Sequence, residues 1–244
     1  MNFKIWLLGA IAGLAACTSV VVGPYSFTYV PIQTNEFEIA TWQNLTDAST
    51  PVHIYIEGDG YAFDRHGRPT GNPTPRKHVM RNLAAIDDGA NVIYMARPCQ
   101  YIKSPNCDVS DWTDGRFSKE ILDSMHTAIK IAAKNRPIIL IGYSGGAMVS
   151  GLLIQNYPDL NIKKWITIAG VLNHTDWTEY FNDTPLKKSL NLNKLPNISQ
   201  VHYIADGDKV VPNELSKKWI KDDNIITVHN AAHDSWRGLT LDFK

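Results

Sequence analysis

Residues 137–153 constrain this chain more than any other stretch. Pro137 precedes the apolar run Ile138-Ile139-Leu140-Ile141, then come Gly142-Tyr143-Ser144-Gly145-Gly146 and a second apolar run containing Ala147, Met148, Val149, Leu152 and Leu153. A short apolar run ending in Gly-x-Ser-x-Gly and continuing into a second one predicts a buried strand, a sharp turn and a helix, the arrangement of a nucleophile elbow. Such a turn holds Ser144 clear of the sheet at the positive end of the helix. Gly142 and Gly146 leave room where strand and helix pass closely, and the N–H of Gly145 is a candidate donor to a developing oxyanion. The plainer reading is a Gly/Ser-rich turn ending an ordinary strand.

The N-terminus bears on location. Lys4 precedes the apolar run Ile5–Ala16, and Leu14-Ala15-Ala16-Cys17 closes it. This resembles a bacterial lipoprotein signal, with residues 1–16 removed and Cys17 lipidated; a plain secretory signal cut at the same junction is the alternative. The run is shorter than the ~20 residues needed to cross a bilayer. Thr18 follows the Cys. In Gram-negative lipoproteins a residue other than Asp there implies the outer membrane. Residues 17–244 then read as one domain with a sizeable core. With 24 basic and 24 acidic residues the formal charge is zero, so neither nucleic-acid binding nor a polybasic membrane patch is expected. Cys99 and Cys107 remain as an even pair in an oxidising context. A disulfide is the natural reading, with two free thiols or a metal pair as alternatives.

Taken in order, residues 20–43 alternate apolar and polar side chains and predict an antiparallel hairpin. Val52–Ile56 is a strand running into Glu57-Gly58-Asp59-Gly60, and residues 61–75 form an irregular loop that is a candidate lid. A helix over 76–88, a strand over 91–96, a helix capped by Ser118 and reaching Asn135, and a strand over 164–170 follow. This alternation predicts an α/β fold whose mostly parallel sheet is covered on both faces. Residues 171–197 have no clear period; their aromatics Trp177, Tyr180 and Phe181 either pack on the core or line a pocket.

A nucleophilic serine needs a base, and the base needs an acid. After the strand 199–205 comes Asp206-Gly207-Asp208-Lys209-Val210-Val211-Pro212, and after the strand 224–228 comes His229-Asn230-Ala231-Ala232-His233-Asp234-Ser235-Trp236. His233 lies in the loop beyond the strand and can swing toward a serine, whereas His229 sits at the strand end. The remaining six histidines read as surface or satisfied core residues.

The order Ser144, Asp208, His233, together with the Glu57–Gly60 turn, resembles the α/β-hydrolase superfamily over about residues 25–244. The pattern Ala96-Arg97-Pro98-Cys99-Gln100-Tyr101, Cys107, Trp112, Arg116-Phe117-Ser118 and His233-Asp234-Ser235-Trp236 is similar to a group of bacterial secreted or lipoprotein hydrolases. The resemblance implies Ser144 as nucleophile, His233 as base and Asp208 as acid, Asp206 being the competitor. It implies oxyanion donors at Gly145 and at Asp59 or Gly60; Glu57 departs from the family, which often has His there. It places a small cap at 171–197. The implied activity is cleavage of a small-molecule or lipid ester without metal or cofactor, by a monomer held at a membrane through Cys17. Amide, peptide or thioester cleavage, acyl transfer, and a non-catalytic binding lipoprotein are the rivals.

Overall fold

The apolar run after Pro137 becomes an interior strand of the sheet, and all of its residues are buried. A strand covered on both faces must be apolar throughout, which is why no alternation is visible there. In this computed structural model, residues 19–22 and 25–243 are described. The signal-like segment 1–16 and Cys17 lie outside the described residues.

The chain begins with β1 (Ser19–Val22), β2 (Tyr25–Tyr29), the short strands β3 (Ile32–Gln33) and β4 (Glu38–Ile39), and β5 (Thr41–Leu45). From there strands and helices alternate: β6 (Val52–Ile56), α1 (Val79–Ile86), β7 (Asn91–Met95), α2 (Lys119–Ala133), β8 (Ile138–Tyr143), α3 (Gly145–Asn156) and β9 (Ile162–Ile168). The chain ends with α4 (His174–Tyr180), β10 (Ser199–Ala205), α5 (Asn213–Lys217) and β11 (Ile225–Val228). Among the described residues the main sheet has nine strands in the order β1-β2-β5-β7-β6-β8-β9-β10-β11. Pairing is antiparallel from β1 to β7 and parallel from β7 to β11. The predicted N-terminal hairpin is therefore the antiparallel edge of a largely parallel sheet.

Alternate residues feed two cores. Ile54, Ile56 and Leu140 face one side, where Leu122, Met125 and Ile129 of α2 and Met148 and Leu152 of α3 cover them. Tyr55, Ile139 and Ile141 face the other, against Val79, Met80 and Leu83 of α1 and the C-terminal Trp236, Leu239 and Leu241. Full burial of a side chain of this size is worth roughly 1.5–3 kcal/mol. This period of two fixes the register, since a slip of one residue would exchange the two cores.

Local signals set the ends of the elements. Ser118 caps α2 by accepting from the Ile121 N–H, and Lys134 and Asn135 end it with φ of 51° and 64°. Helix α1 starts later than its apolar period suggests, because Arg76 is held outside it, its guanidinium 3.4 Å above the Tyr61 ring. Asn224 belongs to a 3-10 turn rather than to the last strand. Within 171–197 the helix α4 has no legible period because it is only seven residues long; its start is set by Asn173, which accepts from the Asp176 N–H. Cys99 and Cys107 are joined in a disulfide that closes the loop after β7.

Candidate active site

Strand β8 ends at Tyr143 and α3 begins at Gly145, so Ser144 must turn the chain in a single residue. Its φ of 52° and ψ of −121° are a conformation that costs a side-chain-bearing residue on the order of 1–3 kcal/mol. Backbone bonds on both sides hold it there: the Ser144 N–H donates to Ile168 O, and Ser144 O accepts from the N–H groups of Ala147 and Val171. The neighbouring glycines are steric requirements. A Cβ on Gly146 would stand 2.5 Å from Glu57 O, and one on Gly142 would stand 2.5 Å from Gly146 O.

His233 Nε2 lies 3.1 Å from Ser144 Oγ, and its Nδ1 lies 2.9 Å from Asp208 Oδ2. Asp208 Oδ1 accepts from the N–H groups of Val210 and Val211, each at 2.8 Å, which leaves Oδ2 facing the imidazole. An ionised carboxylate only accepts, so the Nδ1 facing it carries the proton and Nε2 is free to accept from Ser144 Oγ–H. Asp206 points elsewhere: its carboxylate is 3.2 Å from His229 Nδ1, and both side chains are exposed. The imidazole loop is tied down by the residue before the serine. Tyr143 Oη donates to His233 O at 3.0 Å, Trp236 Nε1 donates to the same oxygen at 2.7 Å, and Ala232 and Ser235 exchange backbone bonds.

The turn after β6 passes directly behind Ser144, where a Cβ on Gly58 would lie 3.2 Å from the serine Cβ. Glu57, which stands where His was anticipated, is buried; it accepts from the Gly58 N–H at 2.9 Å and from Tyr94 Oη at 2.8 Å. Burial pushes its carboxyl up from 4.5 to about 7, against these hydrogen bonds and the charges of Arg97 and Arg81. Gln100 Nε2 donates to Gly58 O, and Gln100 Oε1 accepts from the Arg97 N–H. The Asp59 carboxylate occupies the space a Gly145 side chain would need and is paired with Arg97 and Arg116. Burial acts to raise its pKa, but the Arg116 and Arg97 charges prevail and hold it below the usual carboxylate range. Neither the Asp59 nor the Gly60 N–H has a backbone acceptor among the described residues. The Gly145 N–H belongs to the first turn of α3 and has no intrahelical partner. Three N–H groups near the serine are thus candidates for an oxyanion site.

A cleft of about 620 Å³ opens in front of Ser144 and His233. Tyr61 and Phe63 of the 61–75 loop border it on one side, and Val171, His174 and Trp177 of the 171–197 segment border it on the other. That segment divides its aromatics: Trp177 lines the cleft, while Tyr180 and Phe181 are exposed. The 61–75 loop is anchored, with Trp112 Nε1 donating to Thr70 O and Asp64 accepting from the N–H groups of His66 and Arg68. Sequence reading gave no role to Arg97, Gln100 and Arg116. Their one sequence signal was membership of the 96–118 pattern that resembles a group of bacterial hydrolases.

A parallel sheet carrying a strained Gly-x-Ser-x-Gly turn, with an imidazole and a carboxylate brought to it from later loops, defines the α/β-hydrolase fold. Solved structures with the same fold include an α/β serine hydrolase without a lid from Xanthomonas campestris, 12% identical with a TM-score of 0.53 over 86% of each chain. An esterase from Pyrococcus furiosus is 18% identical, with a TM-score of 0.55 over 85% of this chain and 84% of that one. An α/β serine hydrolase homologue from Coxiella burnetii is 16% identical, with a TM-score of 0.53 over 88% and 92%. Neither a protein-family model nor a curated protein matches this sequence.

Proposed function

We propose that the protein is a serine hydrolase that cleaves a carboxylic ester through an acyl-enzyme. The observation that carries this reading is the unbroken chain of contacts from Ser144 Oγ through both ring nitrogens of His233 to Asp208, placed at a strained turn. In the first half-reaction Ser144 Oγ attacks the ester carbonyl carbon while His233 Nε2 takes its proton, and Asp208 stabilises the imidazolium. The oxyanion is held by Gly145 N–H and by the N–H of Asp59 or Gly60. The C–O bond then breaks, His233 returns the proton to the departing alcohol, and the acyl group stays on Ser144. Water, deprotonated by His233, reverses these steps and releases the acid.

Labelling by a fluorophosphonate probe tests this. The wild-type protein should react and Ser144→Ala should not; a folded wild type that stays unlabelled would shift the reading to a binding protein with this fold. A panel of matched ester, thioester and amide substrates then decides between leaving groups.

The reading also includes attachment to a membrane by lipid on Cys17, which the residues 5–17 support. Incorporation of labelled palmitate in the wild type and its loss in Cys17→Ser is the expected outcome.

A further inference from the structure

Arg116 is a buried cation, ion-paired with Asp59, whose donors make no hydrogen bond among the described residues, and it borders a cleft shared with Ser144 and His233. Its side chain is 6% exposed. The neighbouring Arg97 is committed at both terminal nitrogens, with Nη1 donating to Asp59 and Nη2 to the carbonyl of Arg116. Arg116 is not. Its Nε lies 3.4 Å from Asp59 Oδ2 without hydrogen-bond geometry, and its terminal nitrogens donate to no group among the described residues. The Nε is a fully buried donor without a hydrogen-bond partner among the described residues, an arrangement that is uncommon in folded chains. The rings of Phe63, Phe117 and Trp177 lie 5.7, 5.7 and 5.9 Å from its Cζ. Crowded by rings, the guanidinium keeps the edge of its planar fork for an acceptor.

The charge immediately around Arg116 is positive. Arg97 and Arg116 share the single carboxylate of Asp59, so the triplet carries one net positive charge. Arg76 and Lys77 also border the cleft. Of the cleft's other carboxylates, Glu57 has its pKa raised to about 7, chiefly by burial, Asp234 lies 3.0 Å from Tyr143 Oη, and Asp183 is exposed. His174 adds no cation near neutral pH, because burial and the adjacent Arg116 charge hold its pKa down. Arg116 is paired with Asp59, whose carboxylate rests on Gly145, the residue after the serine, so the fork stands close to the reacting centre.

We infer that the substrate is an ester that carries a carboxylate, and that Arg116 binds this carboxylate. Arg116 is then the residue that sets substrate specificity. The inference rests on the serine-hydrolase reading. A guanidinium fork matches a carboxylate in two parallel hydrogen bonds, which an ammonium does not reproduce.

The test uses boronic acids, which add reversibly to an activated serine, as competitors of fluorophosphonate labelling. Butylboronic acid and 4-boronobutanoic acid form a neutral and an anionic pair of similar reach. The wild-type protein should bind the anionic member about 10- to 100-fold more tightly. Arg116→Met should abolish that preference while leaving butylboronic acid within about threefold, and Arg116→Lys should keep part of it. If Arg116→Met fails to fold, the wild-type preference, its decline in high salt and its partial retention in Arg116→Lys decide the matter. A labelled wild type without preference, or an Arg116→Met that weakens both boronates equally, overturns the inference and leaves the hydrolase reading standing. A folded wild type that the probe does not label overturns both.

Discussion

Replacing Glu57 by Gln should make the protein more stable at pH 8 than at pH 5 relative to wild type. The Glu57 side chain is buried, and its carboxyl is raised from 4.5 to about 7, chiefly by burial. Between those values the folded chain binds more protons than the unfolded chain. Wild-type stability therefore falls as pH rises through this window and levels off above it. A rise of this size corresponds to about 3 kcal/mol, most of which develops between pH 5 and pH 8. Gln is close to isosteric: its carbonyl can accept from the Gly58 N–H, and its amide can donate to Tyr94 Oη, which now donates to Glu57. The variant removes the charge and keeps the connections. Urea unfolding followed by tryptophan fluorescence at both pH values reads the effect. With a slope of roughly 2–3 kcal/mol per molar urea, the gap between variant and wild-type midpoints should widen by about 1 M. Other titrating groups are common to both proteins and cancel in the difference. Midpoints that move in parallel from pH 5 to pH 8 would refute the argument, since the carboxylate would then be as well solvated folded as unfolded.

Three further outcomes follow from the geometry. Asp208→Asn should lower kcat by roughly 10³–10⁴-fold by disturbing the His233 tautomer, whereas Asp206→Asn, at an exposed pair with His229, should change it less than about threefold. Reducing the Cys99–Cys107 disulfide, or replacing both cysteines by Ser, should cost about 2–3 kcal/mol in thermal or urea unfolding, the value expected for closing so short a loop. Gly146→Ala should abolish probe labelling or lower the soluble yield, because its Cβ would meet the carbonyls of Glu57 and Ile56 at 2.5 and 2.6 Å; both are backbone atoms and cannot rotate away.

What was legible in the chain was whatever depends on short-range pattern. The run at 138–141 needs apolar residues throughout because both faces of β8 are covered, and Gly142 and Gly146 are demanded by backbone atoms within a few ångströms. A strand, a turn and a helix can be read from such local needs. The helix α4 could not be, since its seven residues are too few to display a period and its cap Asn173 is one of many Asn and Asp side chains in that segment. The exchange of His for Glu57 left open how that turn is held. The answer lies in Tyr94, 37 residues further along, and no spacing rule connects the two.

The cluster behind the serine shows why composition hides such groups. Asp59, Arg97 and Arg116 come from the ends of three different segments, and each taken alone has the appearance of a solvated surface charge. They are brought together because β6 and β7 are adjacent in the sheet and Arg97 Nη2, at the end of β7, donates to the Arg116 carbonyl beyond the disulfide-closed loop. Once buried, the three cannot be neutral as a group, and the single carboxylate leaves a positive charge whose stabilisation depends on what enters the cleft. A purely structural ion cluster would be expected to satisfy its donors internally, as Arg97 does through Asp59 and the Arg116 carbonyl. The failure of Arg116 to do so, in a wall that also holds the candidate oxyanion donors, is what separates a binding group from a structural one.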